Sequence, residues 1–217
     1  KVSAGGAHSL IQDEDGVVWG SGFNQLGQLG MNNPPQVLNF TKIPNLINIV
    51  DFAAGYSHSV FVTRDGKVLS CGCNRSGQLG LDPATPKVSA AVVVPTLERI
   101  RSVHPKIYHT VCLDIDGNIY TFGTEKQGQT GRDPDLMTRG VPQLVPKLWN
   151  LNIGLVVCEG HHTLVKDSSK QVWAFGLNSH GQLGVGDTEN RLQPTSIGDE
   201  FCNILGCTAT FAKSARK

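Results

Sequence analysis

Four histidine-containing segments recur along this chain at almost constant intervals. The segments GGAHSL, GYSHSV, KIYHTV and GHHTLV place their repeat histidines 50, 51 and 53 residues apart, at His8, His58, His109 and His162. Fourteen residues after each histidine stands a glycine, and a Gly-Gln-x-Gly tetrad begins five residues beyond that glycine in all four copies. Repetition at this period indicates a propeller or a solenoid built from copies of one supersecondary unit.

Each copy predicts short strands joined by tight turns. An apolar, β-branched run such as residues 58–63 follows each histidine, and a second such run follows a turn. In three copies the turn contains Asp-Gly, where glycine is free to adopt a positive φ, whereas the fourth copy has residues 167–170 there. The tetrad predicts a further turn, in which the glutamine bonds loop amides. Proline and another strand candidate, such as residues 47–54 or 155–158, complete each copy.

Three or four short strands per copy would form one small antiparallel sheet. Such a sheet buries both faces only by stacking against its copies, and radial stacking gives a β-propeller. A linear β-solenoid is the competing architecture, but fifty residues exceed the length of most solenoid rungs. We therefore predict an all-β fold in a single domain, residues 1–217. Its four repeats would cover about 1–46, 47–97, 98–150 and 151–200, and residues 201–217 would supply a partial fifth repeat as a closing strand.

The charge balance and the cysteines narrow the classes of partner and compartment. Nineteen basic and eighteen acidic residues give a net charge of +1, which provides no global argument for binding to nucleic acid, chromatin or membrane. No apolar run approaches the roughly 20 residues that span a bilayer. The six cysteines occur without a secretory segment, so we expect buried, reduced thiols in an intracellular protein, nuclear or cytoplasmic. For Cys71 and Cys73, a metal or redox pair is the competing interpretation.

The second copy has the fullest form of the shared pattern. It reads Ala54-Gly55-x-x-His58, then Asp65-Gly66-x-Val68, then Gly72-x-Asn74-x-x-Gly77-Gln78-Leu79-Gly80. This pattern resembles the repeat of the regulator of chromosome condensation family, and the likeness runs from about Val2 to Gly184. Members of that family typically close about seven blades in a ring. The resemblance implies that this chain is a fragment of a seven-bladed propeller, an open arc, or one share of a ring formed by several chains. A closed ring of four blades is the remaining alternative.

The four repeat histidines admit two interpretations. A ring of metal ligands requires converging donors with supporting groups, and no cysteine or carboxylate repeats in phase with the histidines. We favour a structural role, in which each histidine begins a strand and bonds the backbone of a neighbouring blade. The sequence therefore predicts no metal, no cofactor and no catalytic residue.

The family resemblance also implies a partner-binding face. In the family member that exchanges nucleotide on the small GTPase Ran, residues at and just before this histidine line the face that grips the GTPase. By that match the candidate residues here are His8, His58, Tyr108, His109, His161 and His162. The exchange factor has acidic residues before some of its histidines, where this chain has Ala7, Ser57 and Tyr108.

Three hypotheses for function follow. The first is a non-enzymatic regulatory module that binds a protein, with a small GTPase as the favoured partner and nucleotide exchange as its activity. The second is a scaffold or targeting domain of a larger protein, such as a ubiquitin ligase or a kinase. The third is a structural array of blades with no exchange role. We expect no membrane contact, and association of several copies if the ring is shared.

Overall fold

The computed structural model describes residues 1–133 and 140–198, whose strands form four four-stranded sheets. We call these sheets blades one to four in chain order. The strands of blade one are β1 (Val2–Ala4), β2 (His8–Gln12), β3 (Val18–Phe23) and β4 (Gln36–Lys42). Blade two has β5 (Ile49–Ala54), β6 (His58–Thr63), β7 (Val68–Cys73) and β8 (Lys87–Val93). Blade three has β9 (Ile100–Pro105), β10 (His109–Asp114), β11 (Ile119–Gly123) and β12 (Gln143–Leu144). Blade four has β13 (Ile153–Glu159), β14 (His162–Asp167), β15 (Val172–Gly176) and β16 (Arg191–Ser196).

Each blade is an antiparallel meander in which every strand pairs with its neighbour in the sequence. A short 3-10 helix, Pro146–Leu148, lies in the connection from blade three to blade four. The predicted all-β fold with one antiparallel sheet per repeat is therefore confirmed. The fourth strand of each blade, which follows the variable loop after the tetrad, is the element that the sequence pattern left undefined.

The hairpin turns between the second and third strands form as predicted. Gly16, Gly66 and Gly117 adopt φ angles of 79°, 80° and 82°, in the left-handed region that glycine enters without strain. In blade four a lysine takes this role, since Lys170 has a φ of 73°. In this blade an aspartate before the turn stabilises the hairpin, because Asp167 Oδ1 accepts the main-chain N–H of Gln171 at 2.9 Å. This polar bond holds the backbone of the one hairpin that lacks glycine.

Apolar side chains pack between neighbouring blades because the strands alternate with a period of two. In β6, Phe61 packs towards blade one, whereas Val60 and Val62 pack towards blade three. The layer between blades three and four includes Val111 on one side and Phe175 on the other. Burying each such side chain stabilises the fold by about 1.5–3 kcal/mol. Sheet-on-sheet packing of this kind is what the repeat pattern requires.

Blade one differs from the internal blades because one of its faces has no neighbouring blade among the described residues. Val2 occupies the repeat position of Phe52, which is fully buried between blades one and two. Val2 itself is 76 % exposed. Residues 201–217, which were predicted to supply the closing strand, lie outside the described residues. Within residues 1–133 and 140–198, no helix has the length and apolar character needed to cross a membrane.

Candidate partner-binding face

The histidine loops and the tetrads lie at the same end of every blade. The second and third strands are antiparallel, and each repeat histidine pairs with the glycine fourteen residues later, as His8 does with Gly22. The start of the second strand and the end of the third strand therefore meet at one edge. We call this end of the blades the tetrad face. The hairpin turns lie at the opposite end.

The repeat histidines connect blades one, two and three through hydroxyl groups. His8 Nε2 lies 2.8 Å from Ser59 Oγ of blade two, and His58 Nε2 lies 3.0 Å from Thr110 Oγ1 of blade three. Each hydroxyl in turn donates to the main-chain carbonyl of a tetrad glutamine in the preceding blade. The distances are 2.5 Å from Ser59 to Gln28 and 2.8 Å from Thr110 to Gln78. A histidine, a hydroxyl and a carbonyl thus form a polar relay across each of these two junctions.

The direction of the relay fixes the protonation of the histidines. Because each hydroxyl donates its proton to a carbonyl, it must accept from a protonated histidine Nε2. His8 and His58 therefore carry a proton on Nε2, and their Nδ1 atoms have no hydrogen-bond partner within the protein. Burial lowers the pKa of His8 to about 4 and that of His58 to about 3. The relay requires the Nε2 proton and burial favours the neutral ring, so both histidines adopt the neutral Nε2–H form.

The junction between blades three and four lacks this relay. Neither ring nitrogen of His109 has a hydrogen-bond partner, although the ring is fully buried. The equivalent hydroxyl, Thr163 Oγ1, donates instead to Cys158 Sγ at 3.6 Å. Polar contacts that cross this junction include the ion pair of Lys106 with Glu159 at 3.3 Å and a hydrogen bond from the Arg101 side chain to the main chain. The hydroxyl relay of the first two junctions is therefore absent here, although the main-chain bond from Ile153 to Gly117 at 2.9 Å repeats the one from Ile100 to Gly66.

Main-chain hydrogen bonds join the histidine loops of the first three blades. The N–H of Gly6 is within 3.2 Å of the carbonyls of Gly55 and Tyr56, and the N–H of Tyr56 donates to Lys106 O at 3.1 Å. Glycine is required for this approach, because a Cβ atom on Gly55 would lie 2.7 Å from Lys106 O. The described loops of blades three and four share no equivalent main-chain bond. These bonds fix the histidine loops of blades one to three relative to one another.

Two tyrosines and a histidine form the aromatic part of this surface. Tyr56 is 58 % exposed and Tyr108 is 42 % exposed, whereas His161 is half-buried. The rings of Tyr108 and His161 are 5.8 Å apart between centroids and inclined by 34°. His161 Nδ1 also lies 3.4 Å from Gln129 Nε2 of blade three. Burial lowers the pKa of His161, so the imidazole on this surface favours its neutral form.

The tetrad glutamines close their own turns. In each blade the side-chain Oε1 accepts the main-chain N–H two residues earlier. The donors and distances are Leu26 to Gln28 at 3.1 Å, Ser76 to Gln78 at 2.9 Å, Gln127 to Gln129 at 2.9 Å and His180 to Gln182 at 2.9 Å. The predicted role of these glutamines in satisfying loop amides is therefore confirmed.

In blades one, two and four, an asparagine before the tetrad forms hydrogen bonds that hold the tetrad loop. Asn74, for example, accepts the N–H of Leu79 at 3.0 Å and donates to the carbonyl of Asp82 at 3.0 Å. Blade three has Glu125 at this position, and Glu125 forms a buried ion pair with Arg132 at 3.0 Å. The sequence pattern contained the asparagine, but its role became clear only from the folded loop. Rigid tetrad loops follow from these bonds in every blade.

A cavity of about 400 Å³ opens where the histidine loops of the four blades converge. Its lining includes Gly5, Gly55, Tyr56, Lys106 and Glu159. The two charged side chains of this lining are the ion-paired Lys106 and Glu159. Within residues 1–133 and 140–198, no three His, Cys, Asp or Glu side chains come together in a group that could hold a metal ion.

The structure separates the sequence-predicted site residues into two sets. The first set is buried and supports the loops from beneath; it comprises His8, His58, His109 and His162. The second set, Tyr108 and His161, reaches the surface. Sequence reasoning missed Tyr56, which lies two residues before a repeat histidine rather than one. The sequence analysis expected the backbone of a neighbouring blade as the partner of each histidine, whereas His8 and His58 bond side-chain hydroxyl groups. A serine or threonine follows every repeat histidine.

The fold and the bonded loop face define a β-propeller repeat protein. The model of the regulator of chromosome condensation (RCC1) repeat matches residues 15–62, 65–113 and 170–205, and a second model of this repeat matches residues 49–78. These matches cover more than half of the chain. The chain therefore belongs to the regulator of chromosome condensation repeat family, as the repeat pattern predicted.

Similar proteins are much longer than this chain. The chain is 36 % identical over 207 residues to the probable E3 ubiquitin-protein ligase HERC3 of Homo sapiens, covering 91 % of this chain and 19 % of the ligase. It is 31 % identical over 207 residues to the probable E3 ubiquitin-protein ligase HERC4 of Mus musculus, covering 95 % of this chain and 15 % of that protein. The chain thus spans less than a fifth of the length of these relatives.

A solved structure shares the fold. Prp20p from Saccharomyces cerevisiae, which was studied for its binding to Gsp1p and histones, superposes with a TM-score of 0.79 at 23 % identity. The superposition covers 92 % of this chain and 50 % of Prp20p. The four blades described above therefore correspond to about half of that propeller.

Proposed function

We propose that this chain is a non-enzymatic regulatory propeller segment that binds a protein partner through the tetrad face. The exposed aromatic residues on that face carry the proposal. Tyr56 and Tyr108 present large apolar surfaces with a polar end, and tyrosine is enriched among residues that dominate binding energy at protein interfaces. The loops beneath them are held by main-chain bonds and by the histidine relay, so little ordering is required on binding.

A small GTPase is the favoured partner. Support comes from the family resemblance at the histidine positions and from the fold shared with Prp20p, which binds Gsp1p. On this proposal, Tyr108 and His161 contact the GTPase, and His8, His58, His109 and His162 hold the contacting loops in place. Exchange would operate by displacement of the bound nucleotide, with no covalent chemistry in the propeller. The residues before the first three histidines are not acidic, so the contacts would differ from those of the exchange factor.

A scaffold or targeting domain of a larger protein is the second candidate function. Its support is the similarity to HERC3 and HERC4, which are far longer than this chain. On this hypothesis the same face binds a protein that the rest of the longer chain acts upon. An intracellular location, nuclear or cytoplasmic, and a ring completed by further blades or by a second copy belong to the same proposal.

Release of a fluorescent nucleotide from a panel of small GTPases tests the exchange proposal. We expect the chain to accelerate release from at least one of them. Joint replacement Tyr108→Ala and His161→Ala should abolish the acceleration, because both side chains leave the proposed contact. Trp149→Ala is the matched control, since Trp149 is 59 % exposed at the opposite end of the blades. No acceleration with any GTPase would exclude exchange and leave the scaffold hypothesis and the structural array.

A further inference from the structure

Two exposed cations occupy the same position in adjacent repeats on the tetrad face. Arg75 and Lys126 are each the third residue after the glycine that pairs with the repeat histidine, namely Gly72 and Gly123. Both side chains are exposed. The equivalent residues of blades one and four are Gln25 and Ser179, which are uncharged. The cations are thus a feature of blades two and three, where both neighbouring tyrosines also lie.

Tyr108 lies between the loops that carry the two cations. Its carbonyl accepts the N–H of Thr124 at 2.9 Å, which joins it to the loop of Lys126. Two residues further on, Thr110 donates to the carbonyl of Gln78 at 2.8 Å, which joins the same segment to the loop of Arg75. The Tyr108 segment is therefore bonded to both loops that carry a cation, and Tyr56 of blade two lines the central cavity.

The acidic groups of the same loops form ion pairs or accept hydrogen bonds, whereas the two cations have no such partner in the described part of the chain. Glu159 pairs with Lys106, and Glu125 is buried against Arg132. Asp82 caps its own turn by accepting the N–H of Ala84 at 2.8 Å. Within residues 1–133 and 140–198, Arg75 and Lys126 form no ion pair or side-chain hydrogen bond. Neither cation is therefore paired with a carboxylate among the described residues, and the exposed Asp82 and Asp133 of the same loops accept only neutral donors.

We propose that the surface formed by Tyr56, Arg75, Tyr108 and Lys126 binds an acidic segment of a partner protein. This inference rests on the proposed function, since it names the chemistry of the partner at the same face. Carboxylates of the segment pair with the two cations, and an apolar residue between them packs on Tyr108. A nucleic acid fits less well, because phosphate backbones are held by about six to ten cationic contacts and this surface offers two.

Fluorescence anisotropy with a defined peptide tests the proposal. The probe is a labelled peptide, Glu-Asp-Glu-Leu-Asp-Glu-Glu-Asp, compared with a peptide in which every acidic residue is replaced by its amide. At about 50 mM salt, where exposed charges are weakly screened, the acidic peptide should bind at least about tenfold more tightly than the amide peptide. The double variant R75E/K126E should lose at least about tenfold in affinity, because both attractions become repulsions.

A matched variant separates local binding from a general charge effect. Arg64 and Lys42 are exposed at the opposite end of the blades, so K42E/R64E makes the same change in net charge away from this surface. It should retain the affinity of the unchanged protein to within about twofold. Equal binding of the acidic and amide peptides, or equal losses in the two double variants, would overturn the proposal.

Two further outcomes distinguish related ideas. A single-stranded oligonucleotide that binds more tightly than the acidic peptide and depends on Arg75 and Lys126 would show that the partner is a nucleic acid, against this inference. A GTPase that responds to the chain through Tyr108 but is indifferent to R75E/K126E would keep the proposed function and refute the acidic segment.

Discussion

The Nε2 atom of His58 lies 3.0 Å from the Oγ1 atom of Thr110, across the junction between blades two and three. Thr110 donates a hydrogen bond to the carbonyl of Gln78, so one hydroxyl satisfies two buried groups from the preceding blade. The equivalent pair at the next junction, His109 and Thr163, is not bonded. The two junctions therefore provide an internal comparison, because the same residue types stand in the same repeat positions with and without the relay.

Replacing the two threonines by valine should have unequal effects on stability. Thr110→Val leaves a buried histidine N–H and a buried carbonyl without partners, at a cost of about 1–3 kcal/mol in the free energy of unfolding. Thr163→Val removes only a weak contact with a sulfur atom, so it should cost at least about 1 kcal/mol less. Urea unfolding followed by tryptophan fluorescence measures both. Equal losses would mean that the relay at the second junction contributes nothing specific.

Stability should fall as the pH decreases below about 6.5. Burial lowers the pKa of His8 and His104 to about 4 and that of His58 and His109 to about 3. In the unfolded chain these histidines take up protons below about pH 6.5, whereas the folded chain does not until pH falls to its own lower pKa values. Stability is therefore fully present above pH 6.5 and is lost progressively between that pH and about 3 to 4.

The expected slope is about 1.4 kcal/mol per pH unit for each such histidine. Urea midpoints measured at intervals from pH 7.5 to pH 5 test this dependence. The variant His58→Gln should show a shallower slope by about one proton, because one titrating group is removed. A free energy of unfolding that stays constant from pH 7 to pH 5 would contradict the burial of neutral histidines.

Local features of the fold were predictable because their causes lie close together in the sequence. The Asp-Gly turns follow from the positive φ that glycine allows, and each tetrad glutamine bonds an amide only two residues away. The constant spacing from histidine to glycine reflects a pair of bonded strands, as in the register of His58 with Gly72. A fixed hairpin tolerates no change of length, so the spacing is the same in every copy.

The contacts between blades could not be derived from one repeat. His58 and Thr110 are separated by a full repeat, and a partner was expected in the backbone of the neighbouring blade rather than in a side chain. A serine or threonine after each repeat histidine was the available signal, since a hydroxyl that recurs in phase with a buried ring is a suitable partner. That signal would still have failed at Thr163, where the same residue type donates to a sulfur atom.

Surface residues were the least predictable part of the candidate site. Tyr56 and Arg75 lie in segments that define the repeat, but their neighbours in those segments are mostly buried. Exposure depends on which side of a loop faces the next blade, and the repeat pattern does not specify this. The alignment of Arg75 with Lys126 was visible in the sequence, whereas only the folded loops show that neither has an acidic partner within residues 1–133 and 140–198.

The four cysteines of the described residues should resist alkylation in the native protein. All four are free and buried, and burial raises the pKa of Cys71 and Cys158 to about 12 and that of Cys112 further. Thiolate is the reactive form, so iodoacetamide at pH 8 should modify these thiols only after unfolding in urea. Mass spectrometry of the peptides measures the modification site by site. An added exposed thiol, Ser179→Cys, is the positive control, and rapid native labelling of Cys71 would contradict its burial.

Substitution of two glycines with positive φ should have unequal effects, because only one of them is closely approached by the neighbouring strand. Gly123 and Gly184 have φ angles of 114° and 67°, so alanine costs about 1–2 kcal/mol in the left-handed region at Gly184 and more at Gly123. A Cβ atom on Gly123 would also lie 2.3 Å from the carbonyl oxygen of Tyr108, whereas one on Gly184 would meet nothing within 4 Å.

Gly123→Ala should therefore reduce the free energy of unfolding by at least about 2 kcal/mol more than Gly184→Ala, because the strand after the histidine must move to admit the methyl group. The same movement displaces Tyr108, so Gly123→Ala should also weaken any ligand bound at the tetrad face, which Gly184→Ala should leave unaffected. Thermal unfolding of both variants provides the first comparison and peptide anisotropy the second. If the two substitutions proved equally mild, the close pairing of the histidine strand with the glycine strand could not be what fixes the repeat spacing.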